Sequence, residues 1–214
     1  MLATLYAIFI IAPTEARMGI VQKIFYIHVP SAYAMYLGFL LCGIGSALYL
    51  IKKDERWDRI ALASGEVGLL FCVVVLITGP LWARKAWGVY WTWDPRLTTT
   101  LLAGLVFASY WVLRNLSAAG GEAEKKFAAA LAVLGIVDLP VIHYSVQRWR
   151  GTHPAVISGK GGGLHPDMVP ALLLAFLTFT LLVSLLITLR AHLEKLDQQA
   201  EALEYALQER ALKQ

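Results

Sequence analysis

The fold follows from residues 60–83, which read IALASGEVGLLFCVVVLITGPLWA and carry one charged side chain, that of Glu66. As an α-helix this stretch would rise about 36 Å, which exceeds the roughly 30 Å hydrocarbon core of a bilayer. Comparable apolar stretches occupy residues 29–51, 97–113, 127–146 and 169–189. The composition agrees, because 58% of the 214 residues are hydrophobic and 16% are charged, whereas ordinary soluble domains carry about 25% charged residues. We therefore expect an all-α, polytopic membrane helix bundle.

The first twelve residues are also apolar, but as a helix they would rise only about 18 Å. They lack a basic start and a small-residue cleavage site, so we interpret them as a short first span and not as a secretory signal. The predicted bundle then has six transmembrane helices, with both termini on one side. Eleven of the 19 Lys and Arg residues fall on the side of the termini, which favours a cytoplasmic location for both ends.

The composition changes after residue 189. Leucine and alanine recur there at heptad spacing among acidic side chains, at Leu193, Leu196, Ala200, Leu203 and Leu207. This pattern predicts a C-terminal cytoplasmic amphipathic helix, which is equally compatible with a solvated cap and with a helix that docks onto a partner. We therefore divide the chain into a membrane domain, residues 1–189, and a helical tail, residues 190–214.

Two histidines share the predicted outer side of the membrane. His28 begins the second span, and His143 precedes the outer end of the fifth. A single intramembrane histidine is more often a hydrogen-bonded structural residue than a ligand, but two at similar depth favour ligation. Neutral imidazole is a good axial ligand of haem iron, so both side chains are candidate metal ligands. Pro30 is expected to define the start of the second span, and Pro140 is expected to kink the fifth before its histidine.

An aromatic loop, residues 84–96, lies on the same side and contains WGVYWTWDPR at 87–96. So many tryptophans in one short segment exceed what an interfacial belt explains, and flat rings suit a flat macrocycle. The candidate cofactor contacts in this loop are Trp87, Gly88, Trp91, Trp93 and Asp94. Asp94 is equally well interpreted as the cap of a helix that begins at Pro95. Cations that would meet the haem carboxylates, or would simply anchor the interface, are Arg84, Lys85, Arg96, Arg148 and Arg150.

Two acids lie within predicted spans, where a carboxylate is costly unless it is paired. For Glu66 and Asp138 we favour hydrogen bonding between helices, and Asp138 has the alternative of orienting His143. His153 and His165 flank a glycine-rich stretch and are candidate spare ligands.

The sequence excludes several function classes. Cys42 and Cys72 stand alone within apolar runs, so we interpret them as buried small side chains. No CxxCH motif for covalent haem attachment is present in the sequence. Residues 159–163 lack the spacing of a phosphate-binding loop, so any ATPase would be a partner. A net charge of +4 is too small and too dispersed to indicate nucleic acid as a partner.

Three motifs together resemble those of haem-handling proteins that share a tryptophan-rich WGxxWxWD motif. They are WGVYWTWD at 87–94, FYIHVP at 25–30 and LPVIHYSV at 139–146. Within that group the chain resembles the haem exporter C family of the system I cytochrome c maturation pathway over almost its whole length.

The resemblance implies a bacterial inner-membrane protein that binds haem b non-covalently at the periplasmic face. His28 and His143 would be its axial ligands, and the tryptophan loop would lie over the macrocycle. The implied task is to present haem to a periplasmic haem chaperone, without catalysis by this chain. The implied partners are an ATP-binding subunit, a second membrane subunit and a small single-span subunit.

Two other functions are compatible with parts of the sequence. A b-type haem subunit of a membrane quinol oxidoreductase would need haems at two depths, and therefore more helical histidine pairs than this chain offers. A permease for another small solute leaves the tryptophan loop unexplained.

Overall fold

Helices joined by short connections make up the computed structural model, which describes residues 1–116, 121–149 and 164–213. The α-helices are α1 (Leu2–Tyr6), α2 (Phe25–Lys52), α3 (Glu55–Trp87), α4 (Pro95–Leu116), α5 (Glu122–Gly135), α6 (Asp138–Trp149) and α7 (Val169–Leu212). A π-helical turn, Ala7–Ile11, continues α1, and 3₁₀ turns at Ile20–Ile24 and Pro166–Met168 lead into α2 and α7. The predicted all-α architecture is confirmed in these ranges.

Five helical segments of the described ranges are long and apolar enough to cross a membrane. They are Ile20–Lys52, Glu55–Trp87, Pro95–Asn115, Glu122–Ser145 and Pro166–Leu212, and they coincide with the five longer predicted spans. The predicted first span appears as a shorter apolar helix, Leu2–Ile11, which rises only about 15 Å. A sixth crossing therefore stays a prediction.

The short N-terminal helix packs beside α7. The hydroxyl oxygens of Thr4 and Thr178 lie 2.7 Å apart and share a hydrogen bond. The ammonium of the buried Lys23 donates to the carbonyl of Ala12, at 2.5 Å, just beyond the end of this helix. A positive charge at the C-terminal end of a helix is favourable, because the last carbonyl groups carry a partial negative charge.

Two prolines act differently from the prediction. Gly19, where φ is 61°, precedes the 3₁₀ turn that leads into α2, and α2 itself begins at Phe25. Pro30 therefore lies inside α2 and does not define its start. The fifth span is broken between α5 and α6 and is not kinked. Pro140 lies in the first turn of α6, where its missing N–H costs no helical hydrogen bond.

The helices α2 and α3 form a hairpin with a tight crossing. Lys53 adopts the left-handed conformation after α2, and Asp54 caps α3 by accepting from the Arg56 amide at 2.9 Å. Further along, a Cβ added to Gly38 would lie 2.5 Å from the Gly68 Cα. The two backbones approach this closely because neither glycine carries a side chain.

The bundle has two chemically different ends. At one, here called the loop end, residues 88–94 join α3 to α4. There His28 of α2 contacts Thr78 of α3, and Arg96 of α4 contacts the His143 carbonyl of α6. At the other, the charged end, Arg114 forms a double hydrogen bond with the buried Asp58 at 2.6 and 2.7 Å. Arg190 of α7 pairs with Glu66 of α3 at 2.5 Å, which confirms the predicted hydrogen bonding between helices for Glu66.

The last helix continues well past the predicted domain boundary. α7 is 44 residues long without a break, and at about 1.5 Å per residue it is more than twice as long as a bilayer core is thick. Gln198 of this extension accepts from Arg59 at 3.1 Å. The helical nature of residues 190–212 is thereby confirmed, and their cytoplasmic location stays a prediction.

Candidate functional site

His28 lies near the start of α2 and faces α3. Its Nδ1 is 2.9 Å from the hydroxyl oxygen of Thr78. That hydroxyl donates its proton to the Val74 carbonyl, at 2.7 Å. A Cβ added to Gly79 would lie 3.2 Å from the His28 Cε1, so the backbone of Gly79 borders the edge of the ring. The side chain is half-buried.

His143 lies in the middle of α6, and its side chain is exposed on the protein surface. It borders an apolar groove of about 620 Å³ between α2 and α6, lined by Tyr33, Tyr36, Leu37, Leu40, Ile136, Leu139, Pro140, His143 and Tyr144. The rings of His143 and Tyr144 meet edge to face, with centroids 5.0 Å apart. Two helix faces thus meet beside an imidazole that is open to a ligand in the groove.

Arg96 connects the aromatic loop to the helix of His143. Its guanidinium donates to the backbone carbonyls of Ile142, at 3.4 Å, and of His143, at 3.3 Å. Arg96, which is predicted to bind the haem carboxylates, thus also contacts the backbone in the middle of α6. Arg148 is exposed near the end of the same helix.

The aromatic loop begins where α3 ends. Gly88 takes a left-handed conformation, with φ of 81°, and its carbonyl accepts from the Arg84 guanidinium. That guanidinium lies 5.6 Å from the ring centroid of Tyr90. Trp87 packs edge to face against Trp82, with centroids 5.7 Å apart. The sharp turn at Gly88 therefore redirects the chain from α3 into the loop and is held by Arg84.

The second half of the loop combines an exposed ring with a buried cap. The rings of Trp91 and Trp93 meet at 5.8 Å, and Trp93 is 75% exposed. Asp94 is buried, and its Oδ1 accepts from the Leu97 amide at 2.9 Å, in the first turn of α4. The helix-cap interpretation of Asp94 is thereby confirmed, and Pro95 occupies the first helical position as predicted.

Three buried polar atoms of this aromatic region have no hydrogen-bond partner among the described residues. They are Trp82 Nε1, Trp91 Nε1 and Thr92 Oγ1. An indole nitrogen can only donate and a hydroxyl can do so too, so all three offer protons to an acceptor. Buried polar groups are normally paired. The donors therefore fit a ligand that brings acceptor oxygens, as the two carboxylates of haem do.

A bare metal ion fits the described residues less well than a metallated macrocycle. Groups of three or more His, Cys, Asp or Glu side chains that would hold an ion are absent from the described part of the chain. Two imidazoles supply two ligands, and a porphyrin supplies the remaining four nitrogens of an iron centre. The residues at the loop end therefore fit haem.

The other predicted site residues lie apart from this arrangement or outside the described ranges. His165 precedes the 3₁₀ turn before α7 and is exposed, with Nδ1 3.5 Å from Asp167 Oδ2. Arg150 and His153 lie outside the described residues. The Asp138 Oδ2 is buried and has no hydrogen-bond partner in the described ranges, so the predicted helix-to-helix hydrogen bond is not found for that atom. Cys42 and Cys72 are buried, as predicted.

Sequence reasoning missed Thr78, Gly79 and Trp82. The triplet Thr78-Gly79-Pro80 inside an apolar helix is a visible signal, because turn-forming residues are unusual there. Its meaning depends on the packing of α3 against α2, which the linear sequence does not specify.

The chain is similar to known proteins over most of its length. The family model described as heme exporter protein C matches residues 1–206. A heme exporter protein C of Bradyrhizobium diazoefficiens is 34% identical over 174 residues, which cover 80% of this chain and 66% of that protein. The heme exporter protein C of Haemophilus influenzae is 28% identical over 199 residues, 89% of this chain and 78% of that protein. A ccmC-like mitochondrial protein of Arabidopsis thaliana, named for cytochrome c biosynthesis, is 30% identical over 184 residues, 86% of this chain and 69% of that protein.

Proposed function

Because the chain belongs to the heme exporter protein C family, we propose that it holds haem b non-covalently at the periplasmic face of the membrane and presents it to a periplasmic haem chaperone. The family places the chain in haem handling for cytochrome c biogenesis, as a transport and maturation factor. The single observation that supports the finer proposal is the bond from Arg96, which follows the tryptophan loop, to the backbone carbonyl of His143. His28 lies near the start of α2, and the alternation of spans assigns it to the same side of the membrane.

The two histidines have complementary surroundings for holding and releasing a cargo. The ring of His28 is fixed between Thr78 and Gly79 on α3, whereas the ring of His143 is exposed at the edge of a groove. We assign both as axial ligands of the haem iron. A fixed imidazole retains the cargo, and an exposed one can be replaced by a histidine of the receiving protein.

The loop residues orient the cargo in this proposal. Trp87, Gly88, Trp91 and Trp93 line the macrocycle, and the exposed ring of Trp93 lies on the side that a partner would approach. Arg96, the indole donors and Arg148 bind the carboxylates. Asp94 contributes indirectly, because its cap fixes the start of α4 and thereby Arg96.

The wider assembly follows from the same family membership. We assign the chain to the bacterial inner membrane, with six spans, both termini in the cytoplasm and the loop end facing the periplasm. Its partners would be an ATP-binding subunit, a second membrane subunit and a small single-span subunit. Residues 190–212, the last part of α7, would extend past the bilayer and are the segment best placed to contact a cytoplasmic partner.

An absorption spectrum of the detergent-purified protein tests the ligand assignment. The wild type is expected to show a Soret band and the visible bands of low-spin haem with two imidazole ligands. His28→Ala and His143→Ala should each lose the low-spin bands and retain less haem.

His192→Ala is the matched control, because His192 is exposed on the part of α7 beyond the charged-end residue Arg190. It should leave the spectrum unchanged. Low-spin bands of wild-type intensity in both site variants would refute the ligand pair. A wild type that takes up no added haemin would refute haem binding itself.

A further inference from the structure

A short segment of α3 surrounds one side of the His28 imidazole. Thr78 and Gly79 follow each other in the helix, and the next residue is a proline. The Thr78 hydroxyl contacts Nδ1, at 2.9 Å, and Gly79 borders Cε1. Two neighbouring atoms of the ring are therefore defined by two neighbouring residues of another helix.

The hydrogen-bond pattern determines which ring nitrogen carries the proton. The Thr78 hydroxyl has a single proton, and the Val74 carbonyl, 2.7 Å from the hydroxyl oxygen, can only accept it. Towards His28 the hydroxyl oxygen can then only accept, so Nδ1 must be the donor. In a neutral imidazole the lone pair consequently lies on Nε2, the nitrogen at the far side of the ring.

The glycine defines where the ring can lie. A methyl group at residue 79 would come within 3.2 Å of Cε1, which is closer than ordinary van der Waals contact. Any side chain there would push the ring away from Thr78 or tilt it. The absence of a side chain at Gly79 and the hydroxyl at Thr78 are therefore parts of one cradle.

We propose that Thr78 and Gly79 are positioning residues that set the tautomer and the ring orientation of His28 before the ligand binds. Metal-binding histidines generally donate their second ring N–H to a fixed acceptor, and loss of that acceptor typically lowers metal affinity by about 10- to 100-fold. The tautomer is a property of the ligand-free protein. The choice of haem iron as the ligand rests on the proposed function.

The first measurement is nitrogen NMR of the ligand-free protein with labelled histidine, with the His28 signals assigned by comparison with His28→Ala. The wild type and Thr78→Ser, which retains the hydroxyl, should show the proton on Nδ1. Thr78→Val retains the volume and removes the acceptor, so its proton should move largely to Nε2. A proton that stays on Nδ1 in Thr78→Val would overturn the proposal.

The second measurement is titration with haemin, followed by the Soret band. We expect Thr78→Val to bind about 10- to 100-fold more weakly than the wild type and Thr78→Ser to bind nearly as well. Thr188→Val is the matched control, because the Thr188 hydroxyl makes the same type of bond, 2.7 Å to the Ser184 carbonyl, on the exposed surface of α7. Wild-type affinity in Thr78→Val would overturn the positioning role.

Gly79→Ala is an independent test of the cradle, and it remains decisive if Thr78→Val does not fold. It should weaken haemin binding and alter the low-spin bands, while Thr78→Ser does neither. Unchanged bands and affinity in Gly79→Ala would contradict the cradle. If no variant, including the wild type, binds haemin while the tautomer still depends on Thr78, the proposed function fails and the assignment of the tautomer stands.

Discussion

At the scale of single residues, charge inside this membrane protein is handled by pairing. Asp58 and Arg114 are nearly buried, with side-chain exposures of 3% and 5%, and both terminal nitrogens of the guanidinium donate to the carboxylate. Lys125 lies 3.8 Å from the same carboxylate. The charged end therefore joins α3, α4 and α5 through one carboxylate.

Removing one member of this pair should destabilise the protein strongly. Arg114→Ala leaves the Asp58 carboxylate buried without its main partner, and we expect the free energy of unfolding to fall by about 3–5 kcal/mol. Denaturant unfolding in detergent micelles, followed by circular dichroism, measures the change.

Lys126→Ala is the control, because Lys126 pairs with Glu122 at the surface and both side chains are well exposed. Its unfolding curve should superimpose on that of the wild type. Equal stability of Arg114→Ala and Lys126→Ala would contradict the importance of the buried pair.

At the scale of helices, the hairpin of α2 and α3 carries the site. α2 provides His28 and α3 provides Thr78 and Gly79, so the distance between the two helices decides whether the cradle closes on the ring. That distance is set where Gly38 meets Gly68. We therefore expect changes at this glycine pair to affect the binding site.

Separating the two helices should reduce both stability and haem binding. In Gly38→Ala the new Cβ would lie 2.5 Å from the Gly68 Cα, so backbone has to move, and we expect a loss of about 1–3 kcal/mol. Haemin titration should show weaker binding in the same variant, because the hydrogen bond from His28 to Thr78 lengthens.

Ile44→Ala on the same helix is the control for this change. The Ile44 side chain is 43% exposed, so its truncation should leave haemin affinity unaltered. Haemin affinity of the wild-type value in Gly38→Ala would show that the site is independent of the helix crossing.

At the scale of the whole molecule, the two ends of the bundle divide the chemistry. Among the described residues, the ion pairs between different helices lie at the charged end. They involve Glu55, Asp58, Glu66, Arg114, Lys125 and Arg190. The loop end presents aromatic rings, histidines and indole donors. Such a division matches a membrane protein with a ligand on one side and an anchored, Lys- and Arg-rich face on the other.

Labelling with a membrane-impermeant maleimide tests the orientation. The native Cys42 and Cys72 have no exposed surface, so the labelling reports on the introduced cysteines. Tyr90→Cys at the loop end should react in intact spheroplasts, and Lys53→Cys should react only in inverted vesicles. Labelling of position 53 in intact spheroplasts would refute the orientation, and reaction of Leu2→Cys from the cytoplasmic side would establish the sixth crossing.

Much of this protein is readable from the sequence, because a bilayer imposes strong constraints on a chain. Long apolar stretches must form helices to satisfy their backbone hydrogen bonds, so the five longer spans are predictable. The cap at Asp94 was predictable from residue type, whereas the ligand roles of the two histidines and the tryptophan loop stay predictions. Local rules decide the spans and the cap.

Tertiary structure alone decided the features that depend on which faces of the helices meet. The role of Thr78 and Gly79 arises because α3 packs against the start of α2, and the pairing of Glu66 with Arg190 arises because α7 packs against α3. The fifth span is interrupted at residues 136–137, which include Ile136, the residue whose carbonyl Pro140 cannot bond. Apolar helices have many faces of similar hydrophobicity, so the sequence specifies that they pack, and close steric fit specifies how.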